Sequence, residues 1–127
     1  MKLILTVAAA AALALPAAAT AQDSADGWHL MTSQDGFLVG IDTKSIKADG
    51  GGRLYTMRLS KQGDANTALF DLRADCAART VQVLHGYQIA GGKKTEAPNM
   101  AGAPETVDDD PSGKAMLDYV CQAPLAG

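Results

Sequence analysis

His29 and His85 are the only histidines of the chain, 56 positions apart, and each falls in an alternating, strand-like stretch. A zinc site needs three or four ligands close together, and two isolated histidines do not supply them. His85 follows Val81 and Val83 and precedes Tyr87 and Ile89, so a hydrogen-bonded, half-buried imidazole is expected there. Asp108-Asp109-Asp110 with Ser112-Gly113 superficially has the ingredients of a calcium loop. Counted from Asp108, Gly113 is sixth, but Tyr119 stands where the twelfth-position carboxylate should be. The aspartates read instead as negative charge ahead of a helix N-terminus. Asp49 and Gly50-Gly51-Gly52 lack the Lys-Ser/Thr pair and the following helix of a phosphate loop. Ser45 and Ser60 have no neighbouring His and no G-x-S-x-G setting. Asp71, Arg73 and Asp75 alternate with apolar residues and read as a solvated strand face, able to pair with Arg58 or Arg79. Lys93-Lys94 is too small a cluster for heparin or nucleic acid. With no nucleophile–base pair, no metal set and no cofactor motif, the expectation is a protein that is not an enzyme and uses no cofactor.

Cys76 and Cys121 lie 45 positions apart, which excludes a C-x-x-C redox motif. Their reading depends on compartment, and the N-terminus speaks to that. Lys2 is followed by the apolar run Leu3 to Leu15, then Pro16, then the small-residue site Ala19-Thr20-Ala21. This is the pattern of a secretory signal peptide over residues 1–21, with Gln22 as the first mature residue. The run is shorter than the about 20 residues that span a bilayer. Ala21, Gln22 and Asp23 offer no lipidation cysteine, so no membrane anchor is expected after cleavage. Its Ala-rich style predicts a periplasmic or secreted protein of a Gram-negative bacterium. In an oxidising compartment an isolated cysteine pair is read as a structural disulfide. The alternative is a reactive thiol, since Arg73 and Arg79 flank Cys76, but no His is near either cysteine.

A chain of 127 residues allows one small domain. Without Lys2 there are 10 Lys and Arg against 14 Asp and Glu, an acidic balance that argues against nucleic acid as a partner. Gln22 to Gly27 is expected to be disordered. Strands are predicted over Trp28 to Thr32 and Phe37 to Ile41, forming a hairpin around Ser33 to Gly36. Asp42 to Ser45 reads as a cap and one helical turn. Arg53 to Ser60 places Tyr55, Met57 and Leu59 on one face. Thr67 to Cys76 does the same with Phe70, Leu72, Ala74 and Cys76. Arg79 to Ala90 is the longest strand, with Val81, Val83, His85, Tyr87 and Ile89 together on one face. Residues 91–111 read as a long loop, in which Met100 and Val107 could hold short extended pieces. Ser112 is the expected N-cap of a helix whose stripe is Met116, Leu117, Val120 and Cys121, ended by Pro124. Residues 123–127 are a tail.

Several of these residues resemble one family. Asp75-Cys76-Ala77-Ala78-Arg79 with the following strand, Tyr87, Gly91-Gly92-Lys93, Pro111-Ser112-Gly113 and Asp118-Tyr119-Val120-Cys121 are similar to the surface-adhesin protein E family. Gly40-Ile41-Asp42 to Ser45-Ile46 resembles an upstream segment of it. The resemblance spans roughly residues 28 to 122. It implies a curved antiparallel sheet with a C-terminal helix packed on it, tied by Cys76–Cys121, and binding of other proteins, in some members host matrix proteins.

The expectation is therefore an α+β, exported, non-catalytic binding domain whose partner is an envelope or host protein. Trp28, Tyr55 and Tyr87 are the candidate contacts if exposed, because such aromatics anchor interfaces. The alternative is a periplasmic carrier or sensor of a small ligand, with a pocket between sheet and helix.

Overall fold

The computed structural model describes residues 21–23, 27–32, 36–61, 63 and 65–126. The predicted signal peptide, residues 1–21, lies outside them except for Ala21. The elements are β1 (Ala21–Asp23), β2 (Trp28–Thr32), β3 (Phe37–Asp42), β4 (Lys47–Asp49), β5 (Gly52–Lys61), β6 (Thr67–Asp75), β7 (Thr80–Ala90), β8 (Lys93–Ala97), β9 (Glu105–Thr106) and α1 (Pro111–Gln122). Every strand pairing is antiparallel, and the spatial order is β1-β2-β3-β5-β6-β7-β8. β4 lies beside β5 where β3 has ended, and β9 lies beside β7. The expected α+β architecture, a curved open sheet with one C-terminal helix, is what the chain forms.

Alternation decides which side of the sheet the helix covers. Tyr55 pairs with Leu72 and Met57 with Phe70, so these side chains share one face with Ile41 and Ala74. The Met116, Leu117 and Val120 stripe of α1 is buried against this face, and Ile41, Ile46, Leu117 and Val120 are fully enclosed. Arg53 ties the helix end down, donating to the carbonyls of Val120 and Ala123 at 2.8 and 2.6 Å. The expected disulfide is present: Cys76 follows β6, Cys121 sits on α1, and their Cα atoms are 5.9 Å apart. Among the described residues no helix is long and apolar enough to cross a membrane.

Three expectations change. The N-cap of α1 is Asp110, whose side chain accepts from the Ser112 N–H, rather than Ser112 itself. Pro111 explains this. Its fixed φ suits the first helical position, and it holds the preceding residue extended, which is the cap conformation. Residues 91–111 are not one long loop. Gly91 and Gly92 both have positive φ and close a two-residue hairpin into β8, as type I′ turns require. Lys93 to Glu96 are all exposed at a sheet edge, so no hydrophobic alternation marks the strand. At the N-terminus, Ala21 to Asp23 pair with His29 to Met31, although Gln22 onward is read as disordered in the sequence; the expected cleavage site falls in this short strand. The C-terminal tail is held by a hydrogen bond from the Ala126 N–H to the Ile46 carbonyl.

The remaining surprise is in β7. Phe70 pairs with Gly86 and Asp71 with His85, but Leu72 pairs with Val83, leaving Leu84 as an extra residue. Such a β-bulge reverses the facing of everything beyond it. Val81 and Val83 pack on the core as predicted, whereas His85 and Tyr87 turn to the other side.

A candidate binding face

The face of the sheet opposite α1 is not covered by any described element. Following the register across it, Gly40 opposes Arg58, Arg58 opposes Leu69, and Leu69 opposes Tyr87. Trp28 is one alternation away on β2, beside Asp42. Its ring and the Arg58 guanidinium stack at 4.2 Å. At the far end of the row, the Lys94 ammonium stacks over the Tyr87 ring at 4.2 Å. Such cation–aromatic contacts fix long, flexible side chains at low cost in hydration. The Tyr87 hydroxyl donates to Asp71 at 3.3 Å, and Thr56 donates to the same carboxylate at 3.0 Å. Desolvation and the nearby Asp71 charge hold the Tyr87 phenol above its ordinary pKa, so it stays neutral and a donor.

Next to this row lies an open cleft of about 500 Å³. One wall is the 42–47 segment that links β3 to β4, and the other is the Leu84–His85 bulge. The linking segment is a hydrogen-bonded turn rather than a helical one. Asp42 accepts from the Lys44 N–H at 3.0 Å, while Ser45 donates to the Asp42 carbonyl and accepts from the Thr56 N–H. Ser45 thus fills the gap in the ladder where β3 leaves β5. The cleft does not lie between sheet and helix, where the carrier expectation put a pocket; that space is filled by Ile41, Ile46, Leu117 and Val120.

Of the predicted contacts, Trp28 and Tyr87 reach this face half-buried. Tyr55 does not. It is 2% exposed on the core side, because its pairing with Leu72 fixes it there. The two histidines are split between the faces. His29 stacks on Tyr119 of α1 with ring centroids 3.6 Å apart, and His85 sits 3.4 Å from Glu96 on the open face. Among the described residues, no three His, Cys, Asp or Glu side chains form a group able to hold a metal ion. The Thr56 hydroxyl donates to the Asp71 carboxylate, and His85 sits against Glu96. The arrangement can bind and orient polar or charged groups.

The sequence reading missed Arg58 and Lys94. Arg58 does not pair with Asp71, nor Arg79 with the β6 acids. Arg79 bridges Asp108 and Asp118 at 2.9 and 2.7 Å, and Arg73 takes Asp49 at 2.7 Å. The available signal was Gly40. A glycine inside a strand marks a close approach, and a Cβ there would lie 3.1 Å from the Trp28 ring and 3.4 Å from Arg58.

No family model matches the chain, and no curated protein or solved structure is significantly similar to it.

Proposed function

We propose that this chain is an exported, non-catalytic binding domain of the surface-adhesin protein E kind, and that it meets its envelope or host protein partner with the open face of its sheet. One observation carries this reading: the face left bare by α1 holds half-exposed Trp28 and Tyr87, each with a cation fixed on its ring. Tyr, Trp and Arg are the residue types that dominate binding energy at protein interfaces. The quoted family residues fit the same picture, since they build the frame and leave that face free. Asp75 accepts from the Ala78 N–H, Arg79 turns the chain into β7, and Val120 and Cys121 fasten the helix. The leader-like N-terminus and the disulfide favour a working place outside the cytoplasm.

A small-ligand carrier is the second reading, favoured by the cleft between the 42–47 segment and the β7 bulge. The test of export is fractionation of the native cells with intact-mass measurement. The expected product begins at Gln22, lacks two thiol hydrogens and is found in the periplasm, at the cell surface or in the medium. A full-length cytoplasmic protein with two free thiols would end the proposal.

A further inference from the structure

Of the four arginines, three are committed to internal acceptors: Arg53 to helix-end carbonyls, Arg73 to Asp49, and Arg79 to Asp108 and Asp118. Arg58 differs. Its guanidinium carbon sits over the Trp28 ring, 4.2 Å from the ring centroid, and among the described residues no carboxylate or carbonyl accepts its N–H groups. A guanidinium held over a ring without an internal acceptor keeps its donor fork for another partner, and that fork can grip a carboxylate at two points. The sheet gives up a side chain at Gly40 to seat this stack. Lys94 is the second such group: it rests on Tyr87, itself oriented by Asp71, and no described carboxylate lies within ion-pair distance.

We propose that the open face docks an extended acidic segment of a protein, of the pattern acidic–x–apolar–x–acidic, with its carboxylates on Arg58 and Lys94. This rests on the reading of that face as the interaction surface and names the partner's chemistry. The spacing supports it. Arg58 leans over Gly40 on β3, and Lys94 leans over Tyr87 on β7. With β5 and β6 between, the charged heads are about three strand spacings, or roughly 14 Å, apart. In an extended chain, residues i and i+4 point the same way and are about 13 Å apart. The residue midway between them, on the same side, would meet Leu69, which is half-exposed between Arg58 and Tyr87. Discrete carboxylates suit the face better than a continuous anionic surface. Asp42, Asp71 and Glu96 share it, and a bilayer or a uniform polyanion would press charge against them as well.

The chain has one tryptophan, Trp28, so its fluorescence reports on the site directly. The test titrates the exported protein with acetyl-Glu-Ala-Leu-Ala-Glu-amide and with the same peptide carrying Gln for Glu. The acidic peptide is expected to change Trp28 emission and the Leu69 amide resonance. The Gln peptide is expected to bind about tenfold more weakly or worse, and about 0.5 M salt to weaken the acidic one similarly. Arg58→Gln should cost about tenfold in affinity and Lys94→Gln about fivefold. Lys94 is exposed, so its variant tests the proposal even if Arg58→Gln does not fold. Equal binding of the two peptides, binding of neither, or unchanged affinity in Lys94→Gln would overturn it. So would a response to phosphatidylglycerol vesicles or dextran sulfate without one to the peptide. A partner that cross-links to Leu69 but binds independently of charge would sink this proposal and leave the underlying reading standing.

Discussion

Val83 and His85 are two residues apart in β7 yet stand on opposite faces of the sheet, because Leu84 is bulged out between them. Without the bulge, Val83, His85 and Tyr87 would all point to the α1 side of the sheet. With it, Val83 packs on the core while His85 and Tyr87 join Asp71 and Thr56 on the open side. One extra residue therefore separates the part of β7 that holds the fold from the part that faces a partner.

Two tyrosines measure that separation. Tyr55→Ala empties a fully enclosed position and should cost about 4 kcal/mol in a denaturant titration. Tyr87→Ala should cost about 1 kcal/mol, since it removes only a half-buried ring and one hydrogen bond. Comparable losses at the two sites would mean that the outer face belongs to the core.

Tyr55 also carries a specific penalty. Its hydroxyl is buried and has no hydrogen-bond partner among the described residues. Tyr55→Phe should therefore stabilise the domain by about 1 kcal/mol. Burial holds the phenol far above its ordinary value of 10.0. The unfolded chain ionises first, so the folded state keeps its full stability below pH 10 and loses it as pH rises beyond. Unfolding midpoints measured from neutral to strongly alkaline pH should show this decline in the wild type and a shallower one in Tyr55→Phe.

The disulfide closes a separation of 45 residues between the turn after β6 and the helix. Reduction, or Cys76→Ser with Cys121→Ser, should lower stability by about 4 kcal/mol in the chain-entropy view. Differential scanning calorimetry of oxidised and reduced protein gives the comparison, and indistinguishable transitions would show that the clip adds nothing.

Arg79 anchors the other side of the helix, and it does so with φ at +60°. Its two ion pairs keep a non-glycine residue in the left-handed region. Arg79→Ala loses the pairs and keeps the strain, whereas Arg79→Gly loses both. The glycine variant should be the more stable of the two by about 0.5–1 kcal/mol. Lys114 and then Arg79 hold the Asp118 carboxyl below its ordinary value of 3.8. Its contribution is complete above that value and is lost as pH falls through the lower folded one. Acid unfolding curves below about pH 4 should flatten in Asp118→Asn.

The strands with one buried face were legible because alternation reports burial. β5, β6 and the first half of β7 read correctly for that reason, and the helix stripe and disulfide followed from spacing and compartment. β8 was hidden because an exposed edge strand of Lys, Thr and Glu carries no alternation. The bulge was hidden because Leu84 is as apolar as its neighbours, and nothing local distinguishes an inserted residue from an alternating one. The face itself depends on pairs far apart in sequence, Trp28 with Arg58 and Tyr87 with Asp71, and only the register of five strands brings them together. Gly40 was the single local trace of it.

The most direct test of the account is site-specific photocross-linking in the native cells. A photoreactive residue replaces Leu69 on the open face or Ala115 on the exposed side of α1. The account predicts a discrete cross-linked partner from position 69 and none from position 115. A partner captured from position 115 alone would contradict it and move the binding surface to the helix.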